Sequence, residues 1–382
     1  MEARIAQGAE RIAARAEEEL DRLVTVSSPS GDVTGAEEAF AVARSLAPAE
    51  AQVERSPCSS DDHADDLILT LRGSGRGRVL LLGHVDTVHS HEVHRALERD
   101  AGLLIGSGSV DMKGGDVLAL GVLRELARRP HDFEQVALLL VCDEEWRVGD
   151  FVHTQRFAGW DACLCFEGGE LTADGHEAVV VRRKAAGTLR VRAHGRSSHS
   201  GSAPDAGANA LLALASAAQA VAACHDPAGT AHLTAVPTVV QSGVSFNVVP
   251  AAGELLCDLR ADELATFDTV LAGLPATVDG VRLEGNLLRR WPGMDSSGPT
   301  AALLEAAGMR LARPIIGVAR GGASDASYMA PVIETTIDGV GPRGGGAHTP
   351  GEHVLADSLR TRAEVALAIV DAVLAQARIR TT

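Results

Sequence analysis

The chain is 382 residues long, enough for two domains, and its 46% hydrophobic and 23% charged content suits a globular protein with a full core. Acidic residues outnumber Lys and Arg by 51 to 35, a formal charge of −16, which argues against nucleic acid as a partner, because phosphate binding needs a basic face. The charged start, Met1-Glu-Ala-Arg4, has no apolar stretch of signal-peptide length, and no later run is long enough to span a bilayer. A soluble, cytoplasmic protein with no membrane partner is therefore expected.

Residues 4 to 25 place Ile5, Ile12, Ala13, Ala16, Leu20 and Leu23 at the period of an amphipathic helix, stopped by Ser27-Ser-Pro-Ser-Gly31. A second helix is expected over 36 to 46, then a strand over 67 to 71 and a glycine turn at 73 to 77. The continuous apolar run leading into His84-Val-Asp86 suits a strand buried on both faces, as in parallel sheets covered by helices. A helix over 114 to 128 and strands at 136 to 142 and 162 to 166 continue the alternation, an α/β layout. Near 177 the pattern changes to strands at 178 to 181 and 188 to 193, a helix at 206 to 223, strands at 232 to 242 and 253 to 260, a helix at 261 to 273 and a strand at 281 to 286. That is a β-α-β-β-α-β order, so an inserted domain is expected over 177–291, with 1–176 and 292–382 forming the other domain. A helix at 299 to 311, glycine-rich loops at 321 to 325 and 341 to 346, and an amphipathic helix at 357 to 378 complete the chain. The six cysteines form no Cys-x-x-Cys pair and read as small buried side chains rather than ligands or a disulfide.

Polar residues collect where apolar runs end: His84, Glu144 and Glu167 each follow one, and open parallel sheets put their sites beyond the carboxyl ends of their strands. His84-Val-Asp86 puts two side chains on one face of a strand. It reads either as a hydrogen-bonded pair or as a metal ligand whose other ring nitrogen is held by Asp86. Asp143-Glu144-Glu145 is either an exposed acidic turn or a pair of divergent glutamates, one on a cation and one facing a water as general base. The stretch Gly106-Ser-Gly-Ser-Val-Asp-Met-Lys-Gly-Gly115 sets Asp111 between a strand-like and a helix-like run. With Glu167 and His348 the set has the donor types that suit zinc, and two adjacent ions need one bridging carboxylate. His89, His91 and His94 lie in a polar loop and are expected to be solvated. The glycines lack the dinucleotide spacing and there is no Gly-Lys-Ser/Thr phosphate loop, which argues against a nicotinamide oxidoreductase.

The order His84-x-Asp86, Gly-x-Gly-x-x-Asp111-Met-Lys-Gly-Gly115, Asp-Glu144-Glu145, Glu167 and His348-x-x-x-Glu352 resembles the aminoacylase, glutamate carboxypeptidase and succinyl-diaminopimelate desuccinylase family of dinuclear zinc hydrolases over nearly the whole chain. The resemblance implies a zinc-exopeptidase-like α/β domain, with a mainly parallel or mixed sheet between helices, and an inserted ferredoxin-like lid and dimerisation domain. It implies two Zn²⁺ per subunit, replaceable by Co²⁺ or Mn²⁺: His84 and Glu167 on one, Glu145 and His348 on the other, Asp111 bridging, and Glu144 as general base. A cis peptide after Asp111 is also a family trait. Gly195-Arg-Ser-Ser-His199-Ser-Gly201 resembles the loop whose His reaches a neighbouring subunit's site in a homodimer, and Asn247 and Arg260 resemble substrate-contacting residues. Gly322 and Ser324, in Gly321-Gly-Ala-Ser-Asp325, resemble the loop near the substrate carboxylate, with Arg320 a possible helper. The implied activity is hydrolysis of an amide next to a free carboxylate, most like a glutamate-type carboxypeptidase on small peptides or N-acyl amino acids. The alternative is an N-acyl amino acid deacylase or desuccinylase, and a remote one is a non-catalytic metal-stabilised binding protein. Trp146-Arg147-Val148 stands where the family has a small Gly/Ser turn, a departure that bears on the pocket.

Overall fold

The computed structural model describes residues 1–379. Its central sheet has six strands in the spatial order Gln52–Ser56, Asp66–Arg72, Gln135–Val141, Arg78–His84, Ala162–Cys165 and Thr336–Ile337. The last four run parallel, and the first two are antiparallel additions at one edge. The mixed α/β architecture expected from the alternation is therefore present. Val79 and Leu81 join one apolar cluster and Leu80 and Leu82 another, so the run before His84 is covered on both sides. One cover is the helical layer Ala3–Thr25, Val33–Leu46, Gly114–Ala127 and Ser358–Ile379. The other contains Phe151, Phe157, Trp160, Trp291 and Tyr328.

The register matters for the site. His84 lies opposite Val141, and Leu82 opposite Cys165, so residues just past these three parallel strands emerge at one edge.

A five-stranded antiparallel sheet with its own core lies within 185–291. Its long strands run Thr234–Ser242, Ala252–Ala261, Ala185–His194 and Val281–Trp291 across the sheet, with helices Ala210–Ala223 and Ala265–Ala272 between them in sequence. The boundary expected at 177 precedes a strand, Glu177–Arg183, that is hydrogen-bonded to Ile315–Arg320 and Met294–Asp295 in a third sheet. The helix expected from 206 begins at Ala210, where the Asn209 side chain accepts hydrogen bonds from the Leu211 and Leu212 amides. Among the described residues, no helix is long and apolar enough to cross a membrane.

Candidate active site

His84 ends its strand wholly buried, its Nδ1 3.0 Å from the Asp86 carbonyl oxygen and 3.3 Å from Asp86 Oδ1. Asp86 in turn accepts from the Glu144 amide at 3.3 Å and the Glu145 amide at 3.1 Å. One carboxylate thus fixes both the imidazole and the acidic turn. The alternative of an exposed acidic turn does not hold: Asp143 and Glu144 are buried.

Asp111 sits in the kinked segment Ser109–Lys113, where the backbone of Asp111 and Met112 is not helical, and the Asp111–Met112 peptide is cis. Glu352 holds this turn in place by accepting from the Gly108, Val110 and Asp111 amides, each at 3.0 Å. His89 is not solvated as expected; it is buried, with Nε2 3.3 Å from Glu352 Oε2. The helix that follows packs so tightly that a Cβ on Gly115 would come within 1.9 Å of the Phe166 carbonyl oxygen, which only glycine permits. That contact sets Glu167 beside Asp111.

His84 Nε2 lies 3.2 Å from Asp111 Oδ1 and 3.7 Å from Glu167 Oε1, while His348 Nε2 lies 3.1 Å from Asp111 Oδ2 and 3.2 Å from Glu145 Oε2. Two donor triads result, His84–Asp111–Glu167 and Asp111–Glu145–His348, each with its donor atoms within 4.8 Å of one another. Asp111 belongs to both, one oxygen to each imidazole.

The electrostatics of this cluster fit cations. Burial pushes the Glu167 carboxyl up to about 8 and raises Glu145 and, more strongly, Glu144. Asp111 is held well below the usual carboxylate range because the hydrogen bonds from His348 and His84 outweigh its burial. The same bonds to Asp111 and Glu145 lift His348 to about 10. Carboxylates this close to one another ionise together only against compensating positive charge. Nitrogen and carboxylate donors in two overlapping sets suit a pair of zinc-like ions.

Glu144 belongs to neither triad and lines the same cavity, of about 390 Å³, together with Trp146. The same cavity is lined by Arg183, Arg260, Arg289 and Arg320, with Gly322 and Ala323. Arg260 is held by Asp258 at 3.0 Å and Arg320 by Glu170 at 3.1 Å. Arg183 was not singled out by the sequence; it donates to Asp338 at 2.5 Å and to the Gly322 carbonyl at 2.8 Å. Ser324 also donates to Asp338, at 2.5 Å, so it is buried behind the loop rather than on the cavity wall. Arg289 was missed as well. Its guanidinium carbon lies 4.5 Å over the Trp291 ring, and its buried Nε has no hydrogen-bond partner.

The unusual Trp146-Arg147-Val148 turn is resolved by charge. Arg147 is fully buried and bridges Asp143 to Asp325, tying the acidic turn to the glycine-rich loop, while Trp146, at the cavity, and Val148 are exposed. His199 and Asn247 do not join the site within this chain. Both are exposed: His199 Nδ1 accepts from the Gly201 and Ser202 amides, and Asn247 Oδ1 accepts from Ser245. Behind the candidate donors, Asp116 is buried with neither oxygen hydrogen-bonded; burial pushes its carboxyl up to about 8 and the neighbouring Lys113 amine, despite the charge of Asp116, down to about 8.

A buried α/β sheet with two donor triads that share Asp111 beside its carboxyl edge is the layout of a metal-dependent hydrolase. The model of Peptidase family M20/M25/M40 matches residues 80–372, and the chain belongs to that family. It is 25% identical over 350 residues to carboxypeptidase G2 of Pseudomonas sp. (strain RS-16), covering 86% of this chain and 82% of that protein. It is 30% identical over 323 residues to the succinyl-diaminopimelate desuccinylase of Methylorubrum extorquens (strain PA1), covering 75% and 82%. The solved structure of aminopeptidase PepT from Bacillus cereus ATCC 10987 superposes with a TM-score of 0.77 at 19% identity, over 94% of this chain and 98% of that one.

Proposed function

We propose that this hydrolase cleaves an amide bond adjacent to a free carboxylate, in the manner of a glutamate-type carboxypeptidase acting on small peptides or N-acyl amino acids. The observation that carries the reading is the pair of triads sharing Asp111, with Glu144 and four arginines lining the same cavity. His84 and Glu167 would hold one Zn²⁺, Glu145 and His348 the other, and Asp111 both. When bound, such ions supply a Lewis acid and an acidified water. Glu144 takes the proton of the attacking water and returns it to the leaving amine. Asp86 keeps His84 and the Glu144 turn in position. The arginines take the substrate carboxylate, for which a guanidinium fork offers two parallel hydrogen bonds.

The five-stranded unit is read as a ferredoxin-like lid that also dimerises, completing a catalytic domain formed by 1–176 and 292–382. Two features support this. The edge strand Thr234–Ser242 exposes Val236, Val239 and Val240, and the adjoining loop exposes Val244 and Phe246 almost fully. His199 pairs with Val248 in the same loop, so a partner subunit docked there brings His199 and Asn247 to a second site. The desuccinylase relative keeps N-acyl amino acid deacylation as the second reading.

The test is a panel of dipeptides, N-acyl glutamates and N-succinyl amino acids, assayed with Zn²⁺ and then Co²⁺ and Mn²⁺. Hydrolysis confined to substrates with a free carboxylate beside the scissile amide is expected; equal turnover of their amidated or esterified forms refutes the reading. Glu144→Gln should retain both metals by elemental analysis and lose about 10²–10⁴-fold in kcat.

A further inference from the structure

Two of the cysteines that the sequence presents as inert lie together. Cys58, in the loop after Gln52–Ser56, lies against Cys142, the residue that follows Gln135–Val141 and precedes Asp143-Glu144-Glu145. Asp66 opens the neighbouring strand beside them, fully buried. One atom from each, two sulfurs and a carboxylate oxygen, lie within 4.8 Å of one another, the same closeness as in the two active-site triads. Asp66 is oriented on both sides: Oδ1 accepts from the Cys142 amide at 3.2 Å, and Oδ2 lies 2.8 Å from Nε2 of His153, itself 2% exposed. Carboxylates that ligate metals are themselves held by hydrogen bonds from a second layer of groups. The nearby Asp143 is already neutralised by Arg147.

We propose that Cys58, Cys142 and Asp66 form a separate site for a thiophilic divalent cation such as Zn²⁺, with a fourth tetrahedral position left for water. On binding, both thiols lose their protons to solvent and the thiolates ligate the ion. The bound cation clamps the 57–65 loop to the strand end that presents Glu144 and Glu145. Sulfur donors separate this site from the active centre, whose donors are only nitrogen and oxygen.

The test uses the full-length protein, reduced, stripped with a chelator and titrated with Co²⁺ in the absence of oxygen. Expected in the wild type are a near-ultraviolet sulfur-to-cobalt charge-transfer band and Zn²⁺ protection of two thiols against alkylation. Cys58→Ser should lose the band and the protection, whereas His348→Ala should keep both, so failure of this site and failure of the dinuclear reading are told apart. Cys142→Ala is the second variant, compared by melting temperature to verify folding, and should lose the same signals. Absence of the band in the wild type, or its survival in folded Cys58→Ser, overturns the proposal. So does purification of the native protein with two thiols fewer, recoverable by dithiothreitol and unaffected by chelation, which would mark a Cys58–Cys142 disulfide instead.

Discussion

Asp116 shows what burial does to a single carboxyl. It faces Gly83, where a Cβ would lie 2.1 Å from its Oδ1, and burial raises it from 3.8 to about 8. In the unfolded chain it ionises near the lower value, so unfolding releases a proton between the two. Its contribution to stability is therefore complete below about pH 4 and is lost as pH rises through about 8. Asp116→Asn removes that dependence: its melting temperature should gain on wild type as pH goes from 5 to 8, and parallel curves would refute the shift. At the cavity wall, Arg289→Ala should raise KM for a carboxylate substrate by about tenfold with a smaller change in kcat, the mark of lost ground-state binding worth about 1.4 kcal/mol; an unchanged KM removes Arg289 from recognition. The donors His84, Asp111, Glu145, Glu167 and His348 were legible because each sits in a motif with fixed neighbours. Arg289 and Arg183 were not, since each stands in a run of basic residues, Arg289-Arg290 and Arg182-Arg183-Lys184, which looks the same whether it faces solvent or a cavity.

Between elements, the active edge depends on how closely the helix after Asp111 approaches the strand before Glu167. Gly115→Ala forces its methyl into the Phe166 backbone, which cannot swing aside as a side chain does. A loss of about 1–3 kcal/mol in stability is expected, together with weaker metal retention, because Glu167 and Asp111 are pushed apart. Denaturant unfolding and metal analysis of the same variant check both, and a fully stable, metal-retaining Gly115→Ala would show that the approach is looser than described. Sequence patterning found the strands covered on both faces, such as Arg78–His84 and Gln135–Val141, and also the exposed edge strand Thr234–Ser242, whose β-branched run marks it. Those it missed are edge or short strands without a clean alternation. Gln52–Ser56 is almost wholly exposed, and Ile315–Arg320 exposes Ile316 and Gly317 in succession. The strand Val281–Trp291 runs five residues past its expected end, because Leu287-Leu288 followed by Arg289-Arg290 breaks the alternation of a strand although the backbone still pairs with Ala185–His194.

At the scale of the molecule, the question is where His199 acts. In this chain it is exposed and absent from the wall that carries Glu144, so a role in chemistry requires a second copy. A two-fold dimer through the exposed edge strand would exchange His199 loops, each subunit completing its neighbour's site. This arrangement makes a prediction that a single-chain site does not. His199→Ala and Glu144→Ala homodimers should each be nearly inactive. When subunits are mixed and allowed to exchange, half of the dimers are hybrids, and each hybrid has one site with Glu144 from one subunit and His199 from the other, giving about a quarter of wild-type activity. No recovery in a mixture shown by mass spectrometry to contain hybrids would place both residues on one chain's path or remove His199 from the reaction. Replacing Phe246 by Asp separates these outcomes further: a charge at that exposed position should yield monomers in sedimentation that keep their metal yet turn over substrate no faster than His199→Ala, since both donor triads lie within one chain while the proposed dimer takes His199 from the other.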